Sequence, residues 1–337
     1  MTLKQLNQSN VAHIIASSPQ GPRGDEKLSF ELSDDIDNLM LMCPVHHKLI
    51  DSNCEEYSVE ILKTMKRKHE EAIELICESA KLEPSTILCF QSPIKGTIKV
   101  GVEYKKAVEA VLEKNYPEDS YGVTMNIESG LDYCSREYWE DIRTQIKQQY
   151  NMYVESRYSA IPNNIFSIFP LAPIPAIVYL GYLMSDKKNV NIYQKTREPD
   201  TWKWQSRDLT NQFHITHKRY QDGARVALVL SLTAEISCNR IDCVGIYDHI
   251  YIITASNTGV DSIKSEKDLS EFWHCYQSVC DEMKNSITGV RDVCVYPAIP
   301  VSAAFEIGRR YMPGIYPILK IYEDNNGFFE TLAIGDD

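Results

Sequence analysis

At 337 residues the chain exceeds what one compact core usually holds, so two or more domains are expected. Its 43% apolar and 24% charged content is that of an ordinary globular protein, and no apolar run of about 18 residues occurs, so no membrane span is proposed. A net charge of −12 argues against a coat of basic surface for duplex DNA, although a local basic groove, a metal ion or an oligomer can still supply a positive field.

The N-terminus MTLKQLNQSN has no apolar core of a signal peptide. The ten Cys are scattered without a disulfide-like framework, so free thiols in a reducing cytoplasm are the expectation. Residues 1–82 form the first expected domain. They are themselves acidic, with 9 Lys and Arg against 14 Asp and Glu.

NVAHIIA reads as a short strand ending near His13. SSPQGPRGDE is rich in Ser, Pro and Gly and reads as a loop. Asp34–Asn38 suits a turn, and LMLM before Cys43 is strand-like. Cys43–Ile50 enters a helix that carries His46 and His47. Ser58–Lys81 has helical spacing at Val59, Leu62, Met65, Ala72, Leu75 and Ile76, with Ser58 as N-cap. Strand, loop, strand, helix is the frame of a ββα-metal site.

The residue types fit phosphodiester hydrolysis. That reaction needs a base to activate water and a cation to stabilise the leaving oxygen. His13 at a strand end is the candidate base. His47 on the facing helix is the candidate ligand of a divalent ion, Mg2+. Asn38 either orients His13 through backbone hydrogen bonds or donates an oxygen to the metal. Cys43 and His46 have the spacing of a metal clip. Any one histidine is more simply a surface residue. The ordered set with Asn38 and Cys43 outweighs that reading. His69 and the Lys63, Lys66, Arg67, Lys68 cluster read as a solvated helix face.

Residues 83–337 form the second expected domain. The linker is placed at Leu82–Ser85. TILCF and TIKVGV read as strands, YKKAVEAVLEK as a helix, and 137–154 as another. A repeat follows. Residues 165–181 and 292–308 align without a gap at an offset of 127, matching Pro170 with Pro297, Pro173 with Pro300, Ala176 with Ala303 and Gly181 with Gly308. Each copy reads strand, Pro loop, helix, strand, and two copies imply two Rossmann-like halves about a pseudo-twofold axis. In such folds ligands sit beyond the carboxyl ends of the strands, near helix N-termini. Phe169 and Pro173 in one copy, and Tyr296 and Pro300 in the other, are therefore candidate ligand contacts. A pocket between the copies suits a ligand with its own near-twofold character and negative charge, such as a cyclic dinucleotide.

Between the copies, Tyr193, Gln194, Arg197, Trp202, Lys203 and Trp204 combine aromatic faces for purines with cations for phosphates. One tryptophan is expected in the core and one facing ligand, with the choice open. His214, His217, His249 and His274 show no ligand spacing.

AHII…GPRG…DNLMLMCPVHHKLID resembles the HNH nuclease domain of bacterial HNH–SAVED effectors of anti-phage CBASS systems. FSIFPLAPIPAIVYLG, YQKTR…TWKW and YPAIPVSAAFEIG resemble the SAVED domain, which consists of two fused CARF-like subdomains. The resemblance implies an α/β chain with an N-terminal HNH domain and a C-terminal cyclic-oligonucleotide sensor. It implies activation by a cyclic nucleotide, assembly into a homo-oligomer and cleavage of double-stranded DNA, with no membrane partner. Many HNH sites carry an acidic metal ligand just before the base. Ala12 stands there in this sequence, with Asp37 and Asp51 as substitutes. In the effector family a Cys-x-x-Cys pair upstream of AHI completes a zinc site with the equivalents of Cys43 and His46, so structural Zn2+ is expected only where that pair exists. The competing expectation is a sensor without catalysis. A third, a ring nuclease in the C-terminal half, has no acid–base or nucleophile set behind it.

Overall fold

The computed structural model describes residues 10–79, 82–161, 163–206 and 210–336. Two compact units result, residues 1–81 and 82–337.

In the first unit, β1 (Asn10–His13) pairs antiparallel with β2 (Leu39–Met42), with Ala12 opposite Met40 and His13 opposite Leu39. A short helix α1 (Leu28–Glu31) and a 3-10 turn (Ile36–Asn38) lie between them. Pro44 begins α2 (Pro44–Ser52), where its missing N–H costs nothing, with Cys43 extended at the N-cap. α3 spans Val59–Ser79. Ile14, Ile50 and Leu62 form a small core against Met40, Met42, Tyr57 and Val59. The side chains of Ala72, Leu75 and Ile76, expected on the apolar stripe, lie outside the described residues.

The second unit holds two sheets. Its elements in chain order are β3 (Glu83–Gln91), α4 (Tyr104–Val111), β4 (Asn115–Pro117), β5 (Val123–Asn126), α5 (Arg136–Tyr150), α6 (Ser156–Ala160), β6 (Ile165–Leu171), α7 (Ile174–Met184) and β7 (Asn189–Ile192). After these come β8 (Phe213–Arg219), β9 (Val226–Ser231), α8 (Cys238–Asp242), β10 (His249–Ala255), α9 (Glu266–Ser286), β11 (Asp292–Ala298), α10 (Val301–Arg309), β12 (Ile318–Asp324) and β13 (Phe328–Ile334). The first sheet is parallel, in the order β4, β3, β6, β7, with β5 also on β3. The second runs β13, β12, β11, β9, β10, β8, with a parallel centre and antiparallel edge strands. Parallel strands buried on both faces explain near-continuous apolar runs such as VALVLS.

The repeat is realised as β6-α7-β7 and β11-α10-β12. Each helix follows its strand after a proline at the N-cap, Pro173 or Pro300. The matched glycines set how the copies meet. A Cβ on Gly181 would stand 2.2 Å from the Phe305 carbonyl oxygen, and one on Gly308 would stand 1.9 Å from that of Val178. α7 and α10 therefore cross backbone against backbone, and only glycine permits that approach.

Two local expectations differ from the structure. TIKVGV is no strand. Ile94 and Ile98 close a tight turn through Lys95 and Gly96, both at positive φ. The proposed linker residues 83–85 are the first residues of β3, in register with β4, so the chain enters the sheet where Pro84 had suggested a break.

Candidate functional site

In the first unit Asn38 is buried and its side chain is fully used. Its Oδ1 accepts from the Ile15 N–H (2.9 Å), and its Nδ2 donates to the carbonyls of Ile15 (2.9 Å) and Leu32 (3.0 Å). The Asn38 carbonyl accepts from the Ile14 N–H. With both ends of its amide taken, Asn38 pins the backbone just beyond His13. His13 Nε2 lies 3.1 Å from the Ser33 carbonyl oxygen. A carbonyl can only accept, so Nε2 donates in this bond, and in the neutral imidazole the lone pair then lies on Nδ1.

His47 and Asp51 stand one turn apart on α2, with Nε2 3.2 Å from Oδ2. Asn10 lies 3.5 Å from His47 Nδ1. Strand alternation puts Asn10 and Ala12 on one face of the ribbon and His13 on the other. The position held by Ala12 is thus on the His47 side, and it offers no donor. Asp37 is exposed on the 3-10 turn. Cys43 Sγ is 3.0 Å from His46 Nδ1, and the His46 backbone N–H, followed by its ring, holds the thiol below its usual range.

Among the described residues no three His, Cys, Asp or Glu side chains converge to hold a metal ion. Cys43 and His46 alone do not satisfy a structural zinc, which takes four ligands. His47 and Asp51 set one nitrogen and one oxygen donor side by side, of which the carboxylate is the type that Mg2+ prefers.

In the second unit the aromatic candidates pack on one another. Phe169 stacks on Tyr193 (4.5 Å, 9°) and meets Trp202 edge-on (5.3 Å), and all three are buried with α4. Trp202 is the core tryptophan. Trp204 is half-buried in a loop. Pro173 and Pro300 are buried at their N-caps. Tyr296 is buried with its hydroxyl against that of Tyr247.

Neither repeat helix offers an anion the N–H at its second position. Gln194 Oε1 accepts from both the N–H (3.0 Å) and the hydroxyl (2.7 Å) of Ser302, which fills the start of α10 from the end of β7. At the matching position of α7 stands Pro175, which has no N–H to offer.

Charge gathers instead in loops beyond the carboxyl ends of β3 and β7, which flank β6. Lys95 and Lys99 follow β3. Lys195, Arg197 and Lys203 follow β7, with Lys99 and Arg197 exposed. Lys195 pairs with Asp200 and lies over Trp202, and Lys203 reaches Glu113 at 3.4 Å. Sequence reasoning gave Lys95 and Lys99 no role, since TIKVGV reads as a strand and Lys95 falls in the connection before it.

A cleft of about 660 Å3 also opens between β8 and α9, lined by residues including Asn211, His214, Lys267 and His274. Nearby, β8 and β10 bring together His217 and His249, Nε2 to Nδ1 at 3.1 Å, with Glu282 Oε1 3.2 Å from His217 Nδ1. Only cross-strand register joins them, with His217 opposite Tyr251.

The sequence profile of the SMODS-associated and fused to various effectors sensor domain (SAVED) matches residues 143–334. No curated protein matches the chain. Among solved structures, the Acinetobacter baumannii Cap4 SAVED/CARF-domain containing receptor with the cyclic trinucleotide 3'3'3'-cAAA is similar at 13% identity and a TM-score of 0.47, over 65% of this chain and 50% of that one. The same receptor with 2'3'3'-cAAA gives 11% and 0.48, over 85% and 59%. The Moraxella osloensis Cap4 receptor gives 12% and 0.45, over 64% and 48%. The chain thus spans about half the length of these receptors.

Proposed function

The chain belongs to the SAVED sensor-domain family, and we propose that it binds a cyclic oligonucleotide and acts as a CBASS effector whose N-terminal unit is an HNH endonuclease. The observation that carries the sensor half is the doubled βαβ unit with five cations in the loops beyond β3 and β7. Phosphates of a cyclic nucleotide are the anions such loops suit, held by Lys and Arg at the carboxyl edge of a parallel sheet. Lys95, Lys99 and Arg197 are the residues assigned to them.

The effector half rests on His13, Asn38 and His47. Asn38 holds the backbone beyond His13. His13 takes a proton from water at Nδ1 while the Ser33 carbonyl holds Nε2–H. A divalent ion held by His47 would supply a Lewis acid at the phosphate when bound. An acidic unit binds duplex DNA weakly alone, and assembly of several protomers on the cyclic nucleotide would raise its effective concentration on DNA.

Plasmid cleavage with Mg2+, with and without a panel of cyclic di- and trinucleotides, tests both halves beside a His13→Ala control. Cleavage that requires one nucleotide and disappears in the variant supports the reading. Tight nucleotide binding by calorimetry with no cleavage supports the second reading, a sensor without catalysis, which Ala12 at the expected ligand position favours. Absence of any nucleotide binding overturns the sensor assignment.

A further inference from the structure

The GPRG segment reads as a loop in the sequence, yet it is a crowded turn. Arg23 has φ +57, in the left-handed region that side chains rarely adopt. Its neighbours are crowded: a Cβ on Gly21 would fall 2.6 Å from Ala16 Cβ, and one on Gly24 would fall 2.4 Å from the Pro19 carbonyl oxygen. The turn closes in this strained form and sends the Arg23 guanidinium inward, where its side chain is 5% exposed.

Besides the Cys54 thiol, 3.5 Å from Nη1, the guanidinium meets three groups of the frame of the site. Nε donates to the Ile14 carbonyl (2.8 Å), one residue after His13. Nη1 donates to the Ile50 carbonyl (3.1 Å), one residue before Asp51. Nη2 donates to Asp51 Oδ1 (2.7 Å). Arg23 therefore ties the strand of the base to the helix of the metal ligand. It also divides the Asp51 carboxylate: Oδ1 is taken, and Oδ2 is turned toward His47 Nε2 at 3.2 Å.

We propose that Asp51, aimed by Arg23, is the second protein donor beside His47 to the divalent ion, in place of the acidic residue whose position Ala12 occupies. Arg23 is then a positioning residue, and the GPRG turn exists to bury its guanidinium at that point. The inference rests on the nuclease reading of the first unit. Arg is suited to the task because its planar fork bonds a carboxylate and carbonyls in fixed directions, which a lysine ammonium does not.

The test is Mn2+ binding to the full chain, read by calorimetry and by electron spin echo modulation from a histidine nitrogen, with circular dichroism as the folding control. Wild type is expected to bind with nitrogen modulation that His47→Ala abolishes. Asp51→Asn is expected to weaken Mn2+ binding by about 10-fold or more, and Arg23→Lys by about 10-fold, the effect usual for a group that orients a metal ligand. Asp51→Glu keeps the charge beside Arg23, so it serves if Asp51→Asn fails to fold, and it too is expected to lose affinity. Folded Asp51 variants with wild-type affinity and unchanged nitrogen modulation would overturn the assignment while leaving the nuclease reading in place. A wild-type chain that shows no histidine-bound Mn2+ overturns the metal-dependent nuclease reading, and this inference with it.

Discussion

The crossing of α7 and α10 gives the sharpest test of how the two repeats are joined. In Gly308→Ala the new methyl stands 1.9 Å from the Val178 carbonyl oxygen and 2.7 Å from the Tyr182 nitrogen. Both are backbone atoms inside a helix, so no side chain can rotate away. Restoring a 3.0 Å separation from 1.9 Å requires 1.1 Å of movement between the helices. A gap of about 0.5–1 Å already forfeits a quarter to a half of a van der Waals contact, and Ala176, Ile177, Leu180, Ala303, Ala304 and Ile307 all lie buried on these helices. The expected cost is about 3 kcal/mol, at the upper end for overpacking. In urea unfolding, with a slope of about 3 kcal/mol/M, the midpoint should fall by about 1 M. Gly181→Ala, at 2.2 Å from Phe305, should act in the same direction. The double variant should cost less than the sum, because the first methyl has already parted the helices. Gly130→Ala is the control, since a methyl there meets nothing within 4 Å. A Gly308→Ala midpoint equal to that of the control would refute the close crossing.

The carboxyl of Glu323, at the end of β12, is pushed up to about 7 by burial, with the Asp324 carboxylate adding to it and the Asp324 N–H and Lys95 pulling back. Its folded value exceeds the unfolded 4.5, so its stabilising contribution is full below 4.5 and is lost as pH rises through 7. Glu323→Gln should therefore stabilise the chain at pH 8, by up to about 3 kcal/mol, and change little at pH 4 in thermal melts. Gln194→Ala strands the buried Ser302 N–H and hydroxyl and should cost about 1–3 kcal/mol by denaturation, whereas a surface change at Arg197 should not. Asn38→Ala removes two buried hydrogen bonds and one half-buried one and should expose amides 14–16 to rapid hydrogen exchange, with the second unit unaffected.

The large features were legible in the sequence because they are written in spacing. The gapless 127-residue offset foretold two equivalent βαβ units and matched Gly181 with Gly308, while the crossing those glycines permit is seen only in the fold. His13, Asn38 and His47 took up the strand, turn and helix positions assigned to them from order alone. What each side chain does with its surface is a different kind of information. Phe169, Tyr193 and Trp202 have the chemistry to stack on a base, yet they pack on each other, because α4 closes over that face of the sheet. Gln194 looked like a ligand contact and instead caps a helix 108 residues away. His217 and His249 showed no ligand spacing, since strand register brings them together. Arg23 sat in a loop with no assigned role until the fold placed Ile14, Ile50 and Asp51 around it. Periodicity and order determine which elements form and where they turn. Burial and cross-element neighbours decide which polar groups remain open to a ligand, and those depend on faces that meet only when the whole chain has packed.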